Sequence, residues 1–133
     1  MASIFTQIIR GKAPAYKVWE TDRFLAILDI NPVNPGHTLL IPKLEVEYIF
    51  DLPDEMYSEL WIRVRELAGP LRSAMQCRKV GLAVEGFGVP HVHVHLIPVN
   101  SLGELSPERA VPGKAVDLEH VQKRIVDALR GPG

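Results

Sequence analysis

The sequence predicts an α+β fold, a five-stranded antiparallel sheet with flanking helices, and three observations carry that prediction. Short apolar runs are punctuated by glycine, proline, asparagine and aspartate. Two longer stretches carry apolar residues every three or four positions, the period of a helix. Residues 91–97, His-Val-His-Val-His-Leu-Ile, alternate in the two-residue period of a strand. A length of 133 residues fits one domain with a self-supporting core.

The elements follow in order. Ser3 caps a short first helix whose stripe is Ile4, Phe5, Ile8 and Ile9, with Gly11 closing it. Tyr16–Glu20 and Phe24–Ile30 read as strands joined by the turn Thr21-Asp22-Arg23. Asn31-Pro32-Val33-Asn34-Pro35-Gly36 is a rigid loop, and His37–Ile41 is a third strand stopped by Pro42. Residues 53 to about 78 form the main helix. Pro53 suits its first turn; Met56, Leu60, Val64, Leu67, Leu71, Ala74 and Met75 share one side, and Gly69-Pro70 is expected to kink or interrupt it. Val80–Glu85 and Val89–Val99 are the fourth and fifth strands, joined by a tight hairpin at Gly86-Phe87-Gly88. Asn100–Lys114 is a polar loop. Asp117–Arg130 is an amphipathic helix with Leu118, Val121, Ile125 and Leu129 on one face.

Composition excludes several classes. Fifteen basic and 16 acidic residues give a net charge of −1, which supports no broad attraction to nucleic acid or to an acidic membrane surface. One cysteine, Cys77, allows neither an internal disulfide nor a four-thiolate zinc site, and reads as a small filler near a helix end. No run reaches the roughly 18 apolar residues of a transmembrane span, and the first residues do not form a signal peptide. A cytoplasmic protein is the expectation.

Three of the five histidines sit at alternate positions of the predicted fifth strand. His91, His93 and His95 should share one face and look outward into a cleft, while Val92, Val94 and Leu96 face the helices. Clustered imidazoles disfavour one another's protonation, so a purely structural role is the weakest reading. Two chemical readings remain open. Histidines on neighbouring strand positions can hold zinc, with Glu85 and His37 as candidate further ligands. Alternatively a neutral imidazole attacks phosphorus, and flanking histidines donate to the phosphate oxygens.

His91-Val-His93-Val-His95-Leu-Ile resembles the His-x-His-x-His-apolar-apolar signature of the histidine triad (HIT) family. The likeness extends to Ile4-Phe5 with Ile8-Ile9-Arg10-Gly11-Lys12 and Pro14. It continues through Phe24–Ile30, Pro32, Pro35-Gly36-His37 and Leu40-Ile41-Pro42-Lys43, covering roughly residues 4–99. The resemblance implies an HIT domain over 1–100, with a C-terminal loop and helix over 101–133 packed on the domain or on a partner subunit.

It also implies cleavage at the α-phosphorus of a nucleoside phosphoramidate or dinucleoside polyphosphate through a covalent nucleotidyl-histidine, with no metal or cofactor required. His93 matches the nucleophile. His95 matches the residue that contacts phosphate and serves the leaving group, His91 the one that orients the nucleophile, and His37 a fourth histidine completing the network. Asp29 matches the carboxylate that accepts from ribose hydroxyls. Phe5, Ile8, Ile27, Ile30 and Leu39 correspond to the apolar slot for a purine base, and the backbone amides of Gly88 and Val89 to phosphate donors. The partner implied is a purine nucleotide or nucleotide conjugate, and the assembly a homodimer. The chain departs from the family where Gly88 stands in place of a hydroxyl-bearing residue, and where the family's zinc-binding cysteines near the N-terminus are absent. A nucleotide-binding or sensing module with little activity is the alternative reading.

Overall fold

In a computed structural model that describes residues 2–112 and 116–131, the chain builds one five-stranded sheet. The elements are α1 (Ile4–Ile9), β1 (Lys17–Glu20), β2 (Phe24–Leu28), β3 (Thr38–Pro42), α2 (Asp54–Met75), β4 (Lys79–Ala83), β5 (Val94–Val99) and α3 (Leu118–Arg130). Short 3-10 turns lie at Ile49–Asp51 and Pro107–Arg109. The spatial order is β1-β2-β3-β5-β4 and every neighbouring pair is antiparallel.

β2 and β3 are buried along their whole length, so both faces of the sheet centre must be covered. On one face Phe24, Ala26, Leu40, Val94 and Leu96 pack on the α2 stripe of Leu60, Val64, Leu67 and Leu71. Val121 and Ile125 of α3 join that same core, and the Gln122 side chain donates to the Lys17 carbonyl of β1 at 2.8 Å. On the other face Leu25, Ile27, Leu39 and Ile41 are roofed by Phe5 and Ile8 of α1. Ser3 does cap α1, its hydroxyl accepting from Thr6 N at 3.0 Å.

Several expectations need correction. α2 is not interrupted at Pro70 and ends at Met75, because the buried stripe continues past the proline to Leu71 and Ala74 and Gln76 then turns left-handed at φ 52°. Cys77 lies buried just beyond that end. β4 stops at Ala83 and β5 starts only at Val94, so no tight hairpin joins them. Pro90 has no N–H for a ladder. His91 N bonds back to the Val89 carbonyl, and Val92 N leaves the sheet for the Val46 carbonyl, both at 2.8 Å. Val92 and Val94 still point into the α2 core. The histidine side is not an open face, since α1 covers it and His91 is completely buried. The last two residues of the predicted loop, 113–114, lie outside the described residues. Among the described residues no helix is long and apolar enough to cross a membrane.

Candidate active site

The site grows from the ends of the two central strands. Leu28 pairs with Thr38 in the last rung of the β2–β3 ladder, and Asp29 N then bonds the His37 carbonyl at 2.9 Å. Asp29 and His37 therefore leave the sheet side by side. Gly36 makes this possible: its φ is +91°, and a Cβ there would meet Met75 Cγ at 2.6 Å. His95 stands in β5 opposite Leu39 of β3 and Ala83 of β4.

Fixed backbone partners settle which ring nitrogens carry protons. Val33 N–H donates to Nδ1 of His37 at 3.1 Å, so the proton of the neutral ring is on Nε2. That Nε2–H donates to Nδ1 of His95 at 2.8 Å, which leaves the His95 proton on Nε2. His93 has the opposite arrangement. Its Nδ1 lies 2.7 Å from the His91 carbonyl, which can only accept, so Nδ1 holds the proton and Nε2 keeps a lone pair. The cluster thus presents one ring with a free lone pair, His93, beside one with a free N–H, His95, their centroids 5.0 Å apart.

Burial keeps the supporting rings uncharged. It drives the His37 pKa down to about 4, outweighing the nearby Asp29 carboxylate, which pulls the other way. The 3.6 Å approach of Asp29 to His37 Nε2 is therefore not an ion pair at neutral pH. Burial also lowers the pKa of His95, reinforced by His93 and opposed by Asp29 and Glu85. It lowers that of His91 despite the opposing hydrogen bond to the Pro42 carbonyl and the Glu45 charge.

Two cavities flank the His93–His95 pair. One, of about 370 Å³, is lined by Phe5, Ile8, Ile27, Leu39 and Ile30, with Asp29 at its side and Val89 across it. All of the residues expected to form an apolar slot meet there, although Ile30 is 58% exposed. Ile4 and Ala13-Pro14-Ala15 also line it and are not among the residues expected to form the slot. The second cavity, of about 280 Å³, lies toward Asn31, Val33, Glu85 and Gly88 and is walled by Leu105, Pro107 and Ala110. Those last three come from the segment after β5, where polarity alone gave no hint of a wall. His91 takes no part in either cavity: its ring is spent on Ser3 Oγ, 2.7 Å from Nδ1, and on the Pro42 carbonyl, 2.8 Å from Nε2.

Among the described residues, Asp29, His37 and His95 offer ligand atoms within 4.8 Å of one another, which makes them a candidate metal set. Their hydrogen bonds oppose that use. A metal on His37 Nε2 requires the proton to move to Nδ1, where it would confront the Val33 N–H. The donor set fits a proton-bearing chain better than a cation.

Comparisons with known proteins identify the family and the fold of the chain. The HIT domain family model matches residues 10–102. "Protein hit" of Bacillus subtilis is 32% identical, with 95% of this chain and 93% of that one aligned. Adenosine 5'-monophosphoramidase HNT1 of Saccharomyces cerevisiae is 35% identical over 73% of this chain and 62% of its own length. A zinc-bound histidine triad family protein of Mycobacterium smegmatis superposes with a TM-score of 0.84 at 29% identity, covering 98% of this chain and 94% of that one. The matched span carries the sheet, the Asp29–His37 strand ends and the three alternate histidines, and the chain belongs to the histidine triad family.

Proposed function

We propose that this protein is a nucleotide hydrolase or nucleotidyl transferase that works through a covalent nucleotidyl-His93. The observation that carries the reading is the opposed proton placement on His93 and His95. A purine base lies in the apolar slot between Phe5, Ile8, Ile27 and Leu39, held mainly by shape and burial. The ribose hydroxyls donate to Asp29, whose side chain is already turned by accepting Asn31 N at 2.8 Å. The α-phosphate then lies against His93, with the Gly88 and Val89 backbone beside it and the leaving group directed into the second cavity.

The His93 Nε2 lone pair attacks phosphorus and forms the P–N bond. The bond from phosphorus to the leaving atom breaks, and its electron pair departs with that atom. His95 Nε2–H hydrogen-bonds to the developing charge, and the leaving atom takes its final proton from water. A water molecule then adds to phosphorus, the P–Nε2 electron pair returns to His93, and the water proton goes to solvent. In a transferase a second acceptor replaces that water. The name of the yeast relative, an adenosine 5'-monophosphoramidase, supports this class of substrate, a nucleoside phosphoramidate. A dinucleoside polyphosphate is the other member of the proposed class.

The protein acts as a homodimer in this reading. β4 is an edge strand, and beside it the half-exposed Val84 and the exposed Tyr48 and Phe50 rim an apolar hollow. The test of function compares wild type with His93→Ala on adenosine phosphoramidate and on a diadenosine polyphosphate. Release of AMP by wild type alone, with a nucleotidyl adduct on His93 seen by intact mass, is the expected result. Equal trace rates in both proteins would overturn it and favour a nucleotide-binding module.

A further inference from the structure

One partly buried polar cluster is left unused by this chemistry. Ser3 and Thr6 of the α1 cap, Glu45 after β3, and His91 meet on the far side of the nucleophile. Ser3, Thr6 and His91 are all buried. Resting on the reading of His93 as nucleophile, we infer that Ser3, Thr6 and Glu45 are positioning residues that aim His93 through the ring and carbonyl of His91.

The hydrogen bonds run in one direction. His91 Nε2 faces the Pro42 carbonyl and so carries its proton, which makes Nδ1 an acceptor. The Ser3 hydroxyl, 2.7 Å away, already accepts from Thr6 N, and its own proton goes to His91 Nδ1. Glu45 holds Ser3 from behind, its carboxylate accepting from Ser3 N at 2.8 Å and from the Thr6 hydroxyl at 2.5 Å. The His91 ring is thus pinned at both nitrogens, between α1 and the end of β3. A ring pinned twice fixes its own backbone, and the His91 carbonyl is the group that holds the proton on His93 Nδ1.

Packing alone would be served by an apolar side chain at position 91. Burying this many polar groups is costly unless each is bonded, and what the bonds add is direction. Phe5 ties the same helix to both rings, edge-on to His91 at 5.8 Å and to His93 at 4.9 Å. If Ser3 cannot donate, Nδ1 of His91 becomes a buried acceptor with only Thr6, at 3.4 Å, nearby. The ring then turns or changes tautomer, and the carbonyl beneath His93 shifts with it.

The test uses the full chain as Ser3→Ala, Ser3→Thr and Glu45→Ala, with adenosine phosphoramidate as substrate and AMP as the binding probe. Ser3→Ala should lower kcat about tenfold while AMP affinity stays within about twofold, because a small misplacement acts on the chemical step. Ser3→Thr, which keeps the hydroxyl, should restore the rate. Imidazole nitrogen NMR should show His93 protonated at Nδ1 in wild type and a mixture of tautomers in Ser3→Ala. Unchanged kcat and unchanged His93 nitrogen signals in folded Ser3→Ala would overturn the inference and leave the cluster a structural cap. Should Ser3→Ala fail to fold, Glu45→Ala, which keeps the capping hydroxyl, decides the question by the same two readouts. Should wild type turn over neither the phosphoramidate nor a diadenosine polyphosphate, the proposed function fails, while the nitrogen signals still decide whether Ser3 and Glu45 aim His93.

Discussion

Lowering the pH from neutral should destabilise the folded chain, and His37 allows the size of the effect to be worked out. Its ring is 3% exposed, and burial holds its pKa at about 4 against an ordinary value of 6.5. Between those values the unfolded chain binds a proton that the folded chain refuses. Stability is therefore intact above the unfolded value, falls as pH drops through the window, and levels off below about 4. The whole window corresponds to about 3 kcal/mol, and the step from about pH 7 to about pH 5 to about 2 kcal/mol. His37→Gln isolates this contribution. Glutamine can still accept from Val33 N–H and donate toward His95, but it takes up no proton. Urea denaturation of both proteins at the two pH values is the assay. Wild type should lose about 2 kcal/mol more than His37→Gln on acidification. Equal losses in the two proteins would refute the claim that the buried ring is held neutral. His91 and His95 are lowered by burial in the same direction, so both proteins retain a further acid sensitivity beneath this difference.

Further outcomes are expected. Gly36→Ala must place a Cβ 2.6 Å from Met75 Cγ at a φ of +91°, and should cost about 2–5 kcal/mol in urea unfolding, the sum of left-handed strain and overpacking. Among the described residues, Asp29 and Glu85 are the charged side chains lining the second cavity, and no described lysine or arginine lines it. AMP joined to a neutral or amine leaving group should therefore be cleaved at least about tenfold faster than AMP joined to an anionic one, and Glu85→Lys should narrow that ratio in steady-state kinetics. Leu82→Lys on the outer strand β4 should shift sedimentation from dimer to monomer if that edge carries the subunit contact.

Much of the fold was legible because local rules and burial agree. The Ser3 cap, the α2 stripe and the alternation that sends Val92 and Val94 inward all follow from residue period alone. The slot residues were legible only through family resemblance, since Ile27 and Leu39 look like any buried strand residue. His91 departs from its expected outward exposure for a physical reason. Alternation predicts which side a residue takes, but not that a six-residue helix from the other end of the chain will cover that side. Glu45 and the wall formed by Leu105, Pro107 and Ala110 carried no local signal either, because their contacts join segments far apart in the chain. Pro70 does not interrupt α2, because the apolar stripe continues through it and keeps the helix whole.

Asp29 and His37 leave the sheet one step beyond the final rung of its two most deeply enclosed strands. Amides in those strands should exchange with deuterium only when the entire molecule opens, whereas β1 and β4, at the margins, fray far sooner. Asp29 and His37 are thus fastened to the last part of the molecule to melt. Warming that loosens the margins should leave nucleotide capture intact until unfolding becomes global.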